Sequence, residues 1–271
     1  MKKILILVLA LIMACTAFTS CGCQETTYED LAIVDLGLER EYFGIAFRSG
    51  SDMTRKVEDI TVELMASGKI DELSKKYEVG AVGKDDYTPK ADPCTGSGDW
   101  AYIQAKGKLV IGITDYKPMD YKENGEWVGF DADYARAVCE KLGVTAEFKE
   151  IEWDNKLLEL EAKTIDCIWN GMTITDEIEK AADCTAPYMY NTQVAVINKA
   201  DAEKFTSLAS LEGATIAYEA GSAGGKIATG TEALKKNAKE VTSQVDAILE
   251  VMSGASDAAI VDLTLAKALI K

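Results

Sequence analysis

The sequence predicts an α/β protein with a largely parallel sheet, because short apolar runs alternate with stretches of helical periodicity. Residues 109–114 form an apolar run of strand length. Apolar residues then recur every four positions from Phe130 to Leu142, which predicts a helix that Gly143 ends. Strand and helix signals continue to alternate through most of the chain.

Six segments have the length and composition of strands. They are residues 43–47, 109–114, 166–170, 194–197, 215–218 and 258–261. Four further helices have an apolar face or a glycine-rich start. The first is capped by Ser51-Asp52, has Met53, Val57, Ile60 and Leu64 on one face, and ends at Gly68. The second is short and contains Ile70, Leu73 and Tyr77. The third follows the glycine-rich turn 221–225, and the fourth contains Val245, Ile248, Leu249 and Met252.

Composition narrows the class of function. The 271 residues include 29 Lys and Arg, 45 Asp and Glu and no histidine, for a formal net charge of −16. Such acidity repels phosphate, so we expect no nucleic-acid partner. The absence of histidine removes the commonest general base and the commonest metal ligand. The length suits one large or two modest domains.

The first residues have the pattern of an export signal. Lys2 and Lys3 precede an apolar run at residues 4–14, which is shorter than the ~20 residues of a membrane-spanning helix. Residues 18–20 followed by Cys21 resemble the end of a bacterial lipoprotein signal. We therefore predict a signal peptide at residues 1–20, a lipidated Cys21, and an extracytoplasmic protein anchored to the outer face of the cell membrane. An ordinary cleaved signal peptide is the alternative.

Cysteine usage fits an exported protein. Beyond Cys15 and Cys21, the chain has Cys23, Cys94, Cys139, Cys167 and Cys184. Exported cysteines tend to pair, and Cys167 with Cys184 is the first candidate because the two flank one predicted helix. Buried free thiols are the alternative. No cysteine spacing is typical of zinc, so we expect no metal.

Four motifs in the second half of the chain carry a family resemblance. They are ITDYKPMDY at 113–121 with GFDAD at 129–133, DCIWNGMTITDE at 166–177, LEG at 211–213 with TIA at 215–217 and Gly221-Ser222, and DAAIVD at 257–262. Each is weak alone, but their order and spacing together resemble the extracellular amino-acid-binding proteins of ABC importers, the polar amino-acid-binding family 3 of bacterial solute-binding proteins.

A fifth motif of that family precedes the other four. Residues 42–52, continuing to 68–71 and 76–77, are similar to the family's C-terminal end, whereas the chain stops at Lys271 where the family would continue. Moving residues 28–79 behind Lys271 restores the family order. We therefore predict a circular permutation, which is tolerated when termini are close and the new cut is exposed. A coincidental helix in a truncated family member is the alternative.

The resemblance implies a two-lobed periplasmic-binding-protein-like fold of type II, with a hinge of two crossing strands. The predicted segments are a tether at 21–27, part of lobe two at 28–42, the displaced family segment of lobe one at 43–79, a linker at 80–99, the rest of lobe one at 100–190 and the rest of lobe two at 191–271. The linker assignment rests on Gly, Asp, Thr, Pro and Ser without an apolar period at 80–98.

The resemblance also places the ligand site. Asp262 occupies the family position that pairs with a ligand ammonium. Asp35 competes with it, because residues 32–36 repeat residues 259–263 letter for letter. The other expected ligand-binding residues are Asp115, the aromatic Tyr116 and Trp153, Asn170, Gly171 and Thr173 on a strand-to-helix turn, and Ser222 and Ala223 at a helix start. Trp153 and Trp169 are equally compatible with a core position, and core is favoured for Trp169.

One position departs from the family. Ile178 stands where the family usually has an arginine that clamps the ligand carboxylate. The four arginines, Arg40, Arg48, Arg55 and Arg136, fall outside the site motifs. Helix N–H groups with Asn170 would then hold the carboxylate, or the ligand carries no conventional α-carboxylate.

The resemblance implies a non-enzymatic, monomeric receptor that captures a small polar solute, an amino acid first of all, and delivers it to ABC permease subunits. No catalytic residue, cofactor or metal is expected. The alternatives are a cyclic acid dehydratase of the same fold, for which Glu219 is the one ionisable candidate, and a sensory or adaptor protein, for which the sequence offers no signalling domain.

Overall fold

The structure is a computed structural model that describes residues 27–90 and 98–270. Its strands are β1 (Leu31–Asp35), β2 (Glu41–Arg48), β3 (Lys108–Ile113), β4 (Tyr121–Glu123), β5 (Glu126–Val128), β6 (Thr145–Glu150), β7 (Cys167–Thr173), β8 (Ala182–Cys184), β9 (Met189–Asn191), β10 (Gln193–Asn198), β11 (Ile216–Glu219), β12 (Ala238–Val241) and β13 (Ala258–Asp262). Its helices are α1 (Met53–Ala66), α2 (Lys69–Tyr77), α3 (Asp99–Lys106), α4 (Phe130–Leu142), α5 (Lys156–Glu161), α6 (Asp176–Ala181), α7 (Ala223–Gly230), α8 (Gln244–Met252) and α9 (Leu263–Leu269).

Two large sheets organise these elements, and β4 and β5 form a separate two-stranded sheet. The first has the order β6-β3-β7-β2-β8, with β9 also paired to β2, and takes all its strands from residues 41–191. The second has the order β1-β10-β13-β11-β12. We call the first sheet with its helices lobe one, and the second sheet with its helices lobe two.

The strands of each sheet share one direction with a single exception, so the expected largely parallel sheet is confirmed. In lobe one, β2 runs antiparallel to β7, β8 and β9, and in lobe two β10 runs antiparallel to β1 and β13, whereas β6-β3-β7 and β13-β11-β12 are parallel. The two reversed strands are the ones that the chain enters directly from the other sheet, β2 after β1 and β10 after β9.

Two strand crossings form this hinge, as expected. The chain passes from β1 to β2 through residues 36–40, and from β9 to β10 through Thr192. The two paths lie side by side, since Asp35 is opposite Val194 in one sheet and Glu41 is opposite Asn191 in the other.

Strand β2 lies inside the lobe one sheet although it comes early in the chain. It pairs with β7 on one side and with β8 and β9 on the other. Helices α1 and α2, which follow it, pack against α4. Behind β7, Tyr134 of α4 meets Trp169 edge to face at 4.8 Å between ring centroids, and both side chains are fully buried. The core position favoured for Trp169 is confirmed.

The strand that carries Asp262 is buried on both faces. All five residues of β13 are buried. Ala258 and Ile260 pack into one apolar cluster with Ala228 of α7, and Ala259 and Val261 pack into another cluster with α8. A strand covered by helices on both faces requires a continuous apolar run, which is what the sequence shows.

The expected disulfide between Cys167 and Cys184 is wrong. Both are buried free thiols, as is Cys139. Cys167 is opposite Phe47 and Cys184 is opposite Ala46, so β2 lies between them and their side chains point to opposite faces. Two strand spacings separate the cysteines by about 10 Å, well beyond the Cα separation of a disulfide. Cys21, Cys94 and the export signal lie outside the described residues.

Part of the expected linker belongs to the core of lobe one. Val82 and Tyr87 are buried, and the Val82 N–H donates to the Tyr188 carbonyl at 2.8 Å. The sequence did not reveal this packing because two apolar residues five positions apart leave no period to detect. Asp52 occupies the N-cap position of α1, as expected, but its carboxylate accepts from the Trp100 N–H at 2.8 Å, and it is the Ser51 hydroxyl that accepts from the Met53 N–H at 3.3 Å.

Within residues 27–90 and 98–270, no helix is both long enough and apolar enough to cross a membrane.

Candidate ligand-binding site

A cavity lies between the two lobes, at the carboxyl ends of the parallel strands of both sheets. Such edges are where open α/β sheets bind ligands, because strand-to-helix loops from each strand converge there. The lining residues of lobe one are Thr114, Tyr116, Trp153, Asp154, Lys156, Leu157, Asn170, Gly171, Met172, Thr173, Thr175, Glu177 and Ile178. Those of lobe two are Gly221, Ser222, Ala223, Lys226, Gln244 and Asp262.

The structure brings eight of the nine expected ligand-binding residues to this cavity, and Asp115 is the exception. Asp115 lies instead in a neighbouring outer groove with Glu150, Glu152 and Asp246. Adjacent residues in an extended loop point to opposite sides, so the burial of Tyr116 in the cavity wall leaves Asp115 exposed.

Asp262 is buried at the end of β13, and its carboxylate is surrounded by side-chain amide donors. Its Oδ1 accepts from Asn191 Nδ2 and Gln193 Nε2, each at 2.5 Å, and its Oδ2 accepts from Gln244 Nε2 at 2.6 Å. Burial raises the pKa of Asp262, and these donors oppose that rise. A carboxylate has about four acceptor positions, and these amides occupy three of them, while the Tyr116 hydroxyl lies close to the same carboxylate.

The same amides connect Asp262 to the hinge. Gln193 Nε2 and Asn191 Nδ2 also donate to Glu41 Oε2, at 2.9 and 3.3 Å. Glu41 begins β2, at the hinge crossing, and burial together with the charge of Asp262 raises its pKa. The two carboxylates thus share one pair of amides between the ligand cavity and the crossing strands.

Asp35, the competing candidate, lies elsewhere. It is exposed at the end of β1, where its carboxylate accepts from the Gly37 N–H at 2.9 Å. Of the two aspartates, Asp262 is therefore the one that lines the cavity.

Tyr116 and Gly171 form one wall of the cavity together. Gly171 has φ +55°, and a Cβ there would lie 2.5 Å from Tyr116 Cε1 and 3.1 Å from Phe43 Cε2. Only glycine tolerates both that backbone conformation and that close approach. The aromatic ring is consequently fixed against the strand, with its hydroxyl end buried toward Asp262.

Asn170 and Gly171 do not offer the free donors that were expected for a carboxylate. Asn170 Oδ1 accepts from the Thr114 N–H and hydroxyl at 2.9 and 2.6 Å, and its Nδ2 donates to Asp120 Oδ2 at 2.8 Å. The Gly171 N–H donates to Asp131 Oδ2 at 2.7 Å. These groups hold the wall of the site in place from behind.

Lys156 brings a buried cation to the cavity. It begins α5 and is 7% exposed. Its Nζ donates to the Trp153 carbonyl at 3.1 Å and to the Gly221 carbonyl at 2.9 Å, and lies 4.7 Å from the centroid of the Trp153 ring. Trp153 therefore lines the cavity with a ring that already contacts a protein cation.

Glu219 is buried at the end of β11, behind the cavity lining, and does not face solvent. Burial and the negative charge of Asp262 raise the pKa of Glu219 to about 8, and Lys156 opposes the rise. Its carbonyl accepts from the Ser222 hydroxyl at 2.8 Å, while Ser222 Oγ caps α7 by accepting from the Gly225 N–H at 3.0 Å.

The lobes are closed on each other. Lys156 of lobe one reaches Gly221 of lobe two, and Lys226 Nζ of lobe two pairs with Glu177 Oε2 of lobe one at 2.6 Å. Gly221 also packs directly against Asp154.

We expect Gly221→Ala to weaken ligand binding about tenfold or more, because the new Cβ would lie 2.6 Å from Asp154 Oδ1 and would obstruct closure. The matched control is Gly213→Ala, which has a similar positive φ of +80° with no atom within 4 Å of the added Cβ. Calorimetry should show a control affinity within about twofold of the parent. Equal affinities for both variants would contradict a role for the contact between Gly221 and Asp154 in closing the lobes on the ligand.

The part of the cavity lining that the described residues form contains no arginine. Ile178 lines the cavity, whereas the four arginines lie outside it. Arg48, for example, pairs with Asp99 and Asp166, and Arg136 pairs with Asp133.

Sequence reasoning missed Lys156, Gln244 and the hinge residues Glu41, Asn191 and Gln193. An isolated lysine in a helix with two glutamates reads as a solvated face. A signal was nevertheless present, because Lys156 immediately follows the Trp153 segment that was expected to face the ligand.

A polar cavity between two lobes joined by two crossing strands defines a periplasmic binding protein of type II. The chain belongs to the bacterial extracellular solute-binding proteins, family 3, whose family model matches residues 109–259. The arginine-binding extracellular protein ArtP of Bacillus subtilis is 31% identical over 180 residues, which cover 65% of this chain and 69% of that protein.

Solved structures agree with this membership. Holo ArgBP from T. maritima has a TM-score of 0.59 at 31% identity, covering 62% of this chain and 74% of that one. An ancestral amino acid-binding protein, described as a precursor of cyclohexadienyl dehydratase, has a TM-score of 0.57 at 34% identity, covering 60% of this chain and 73% of that one.

Proposed function

We propose that this protein is a substrate-binding receptor that captures an amino acid between its lobes and delivers it to an ABC permease. The observation that supports this most directly is the pairing of a buried carboxylate, Asp262, with aromatic and polar walls in one interlobe cavity. Membership of an extracellular solute-binding family supports the same role.

Calorimetry against the twenty amino acids and L-cystine tests this function. We expect at least one to bind with a micromolar or lower dissociation constant. Relatives named for arginine and cystine binding make L-arginine and L-cystine the first ligands to measure. Absence of binding by every compound would overturn the proposal.

We further propose that the protein is exported by its first 20 residues, anchored through a lipid on Cys21, and active as a monomer. Metabolic labelling with an alkyne fatty acid should modify the parent and not Cys21→Ser, and export of an unlabelled parent would contradict the anchor.

We also propose that the chain is circularly permuted. The family match begins at residue 109, yet β2 from residues 41–48 lies between β7 and β8 in the same sheet. Elements that follow one another in the chain are usually adjacent in space, whereas β2 lies between strands that come more than 100 residues later. Displacement of the segment that contains β2 from the end of the chain to its start accounts for this position.

A rearranged chain tests the permutation. It would begin at Gly98, join residue 271 to residue 28 through about ten Gly and Ser residues, and end at Lys90 so that Val82 and Tyr87 are kept. We expect it to fold and to bind the same amino acid within about threefold of the parent. A chain that folds but no longer binds would contradict the proposed order.

An enzymatic role is the second candidate, because Glu219 is a buried acid beside the cavity whose pKa is raised to about 8. Such a group could exchange a proton near neutral pH. Mass spectrometry of the bound amino acid after prolonged incubation separates the two roles, since a receptor returns it unchanged.

A further inference from the structure

The cavity contains a buried ammonium group, that of Lys156, that forms no ion pair with the described residues. Lys156 Nζ has three N–H donors and uses two of them on carbonyl oxygens of Trp153 and Gly221. Within the described residues, no carboxylate oxygen forms an ion pair with it. Buried charges are normally paired, because transfer of an ion out of water is costly. Burial accordingly lowers the pKa of Lys156 to about 8, although Glu219 and Asp154 oppose this.

Two of the donors that were expected to hold a carboxylate are already engaged. The side chain of Asn170 is bonded to Thr114 and Asp120, and the Gly171 N–H is bonded to Asp131. The other lysine of the lining, Lys226, pairs with Glu177 at the rim. Lys156 is thus the cation of the described lining that has a donor available and no acidic partner.

We propose that Lys156 Nζ binds the carboxylate of the amino-acid ligand and so selects ligands with an ionised carboxylate. This inference rests on the proposed function, since it assigns one more group of the same site. Asp262 and Lys156 then complement the two charges of a zwitterion. Because Lys156 also donates to Gly221 of lobe two, the bound carboxylate would stabilise the cation that links the closed lobes.

The decisive experiment compares an acid with its amide. Calorimetry would measure the tightest-binding amino acid of the panel and its α-carboxamide against the parent, Lys156→Met and Lys156→Arg. Comparison of two ligands across two proteins isolates the contact between Lys156 and the carboxylate, as in a double-mutant cycle.

We expect the parent to prefer the acid over the amide by about 30-fold or more, which is typical of a charge-assisted hydrogen bond. Lys156→Met should reduce this preference to about threefold or less, and Lys156→Arg should retain most of it. The control Lys108→Met removes an exposed lysine that pairs with Glu147 on lobe one, and should leave the preference unchanged.

Other results would overturn the inference in recognisable ways. If Lys156→Met weakens acid and amide equally, Lys156 acts only as a link between the lobes. An unchanged preference would exclude contact with the carboxylate. If the parent binds no amino acid, the proposed function itself fails. Lys156→Gln replaces the methionine variant if the latter does not fold, as judged by its thermal melt.

Discussion

Asp262→Asn should weaken binding of the amino acid about 100-fold or more, because we propose that the negative charge of Asp262 faces the ligand ammonium, and its removal would leave that ammonium buried and unpaired. The asparagine must also turn an N–H toward one of the donors that now meet a carboxylate oxygen, Asn191, Gln193 or Gln244. Calorimetry of the folded variant checks the expected loss, and a thermal melt establishes that it is folded.

Asp35→Asn is the matched control. Asp35 has the same sequence neighbours as Asp262, but it is exposed at the end of β1 outside the cavity. Its substitution should change the affinity by less than about twofold. An equal loss in both variants, or no loss in the Asp262 variant, would refute the assignment of Asp262.

The free energy of unfolding should fall between pH 5 and pH 8, by about 1.4 kcal/mol per pH unit for each carboxyl that stays protonated only in the folded protein. Burial raises the pKa of Asp131 to about 7 and that of Glu219 to about 8, and burial beside Asp131 raises the pKa of Asp120 well above its usual range. These carboxyls keep protons in the folded protein at pH values where the unfolded chain has released them. The folded state therefore binds more protons in this window, and stability declines as the pH rises.

Urea titrations at a series of pH values measure this slope. Asp131→Asn should flatten it, because asparagine keeps an acceptor for the Gly171 N–H and the Tyr188 hydroxyl without a titrating group. Asp133→Asn, two residues further along α4, is the control. The pKa of Asp133 is lowered by its bonds to Lys76 and Tyr77 despite partial burial, so its contribution changes only below pH 4. An unchanged slope in the Asp131 variant would contradict the prediction.

The sequence predicts the parts of this site that depend on local pattern. Asp262 follows a continuous apolar strand, and Ser222 follows a glycine-rich helix start, so both are placed by their own neighbours. Asp115 was misplaced because a loop sequence does not show which of two adjacent side chains turns inward.

The parts that depend on long-range pairing were beyond local reasoning. Cys167 and Cys184 look like neighbours in sequence, but a strand from more than 100 residues upstream separates them. Lys156 reaches the cavity through a hydrogen bond to the carbonyl of Gly221, which is 65 residues away in the chain and lies on the other lobe. Periodicity reports which residues are buried, and it carries no information on which distant segment buries them.

Two strands from early in the chain have a consequence for the order of assembly. Strand β1 pairs with β10, with Leu31 opposite Asn198, and strand β2 pairs with β9, with Glu41 opposite Asn191. Closing such long loops slows folding, because the entropy is lost before the contacts form. We expect strands with nearer partners in the chain to pair first and β1 and β2 to join their sheets later. Pulsed hydrogen exchange during refolding should therefore protect β3 and β11 before β1 and β2, which makes the hinge between the lobes a late product of folding.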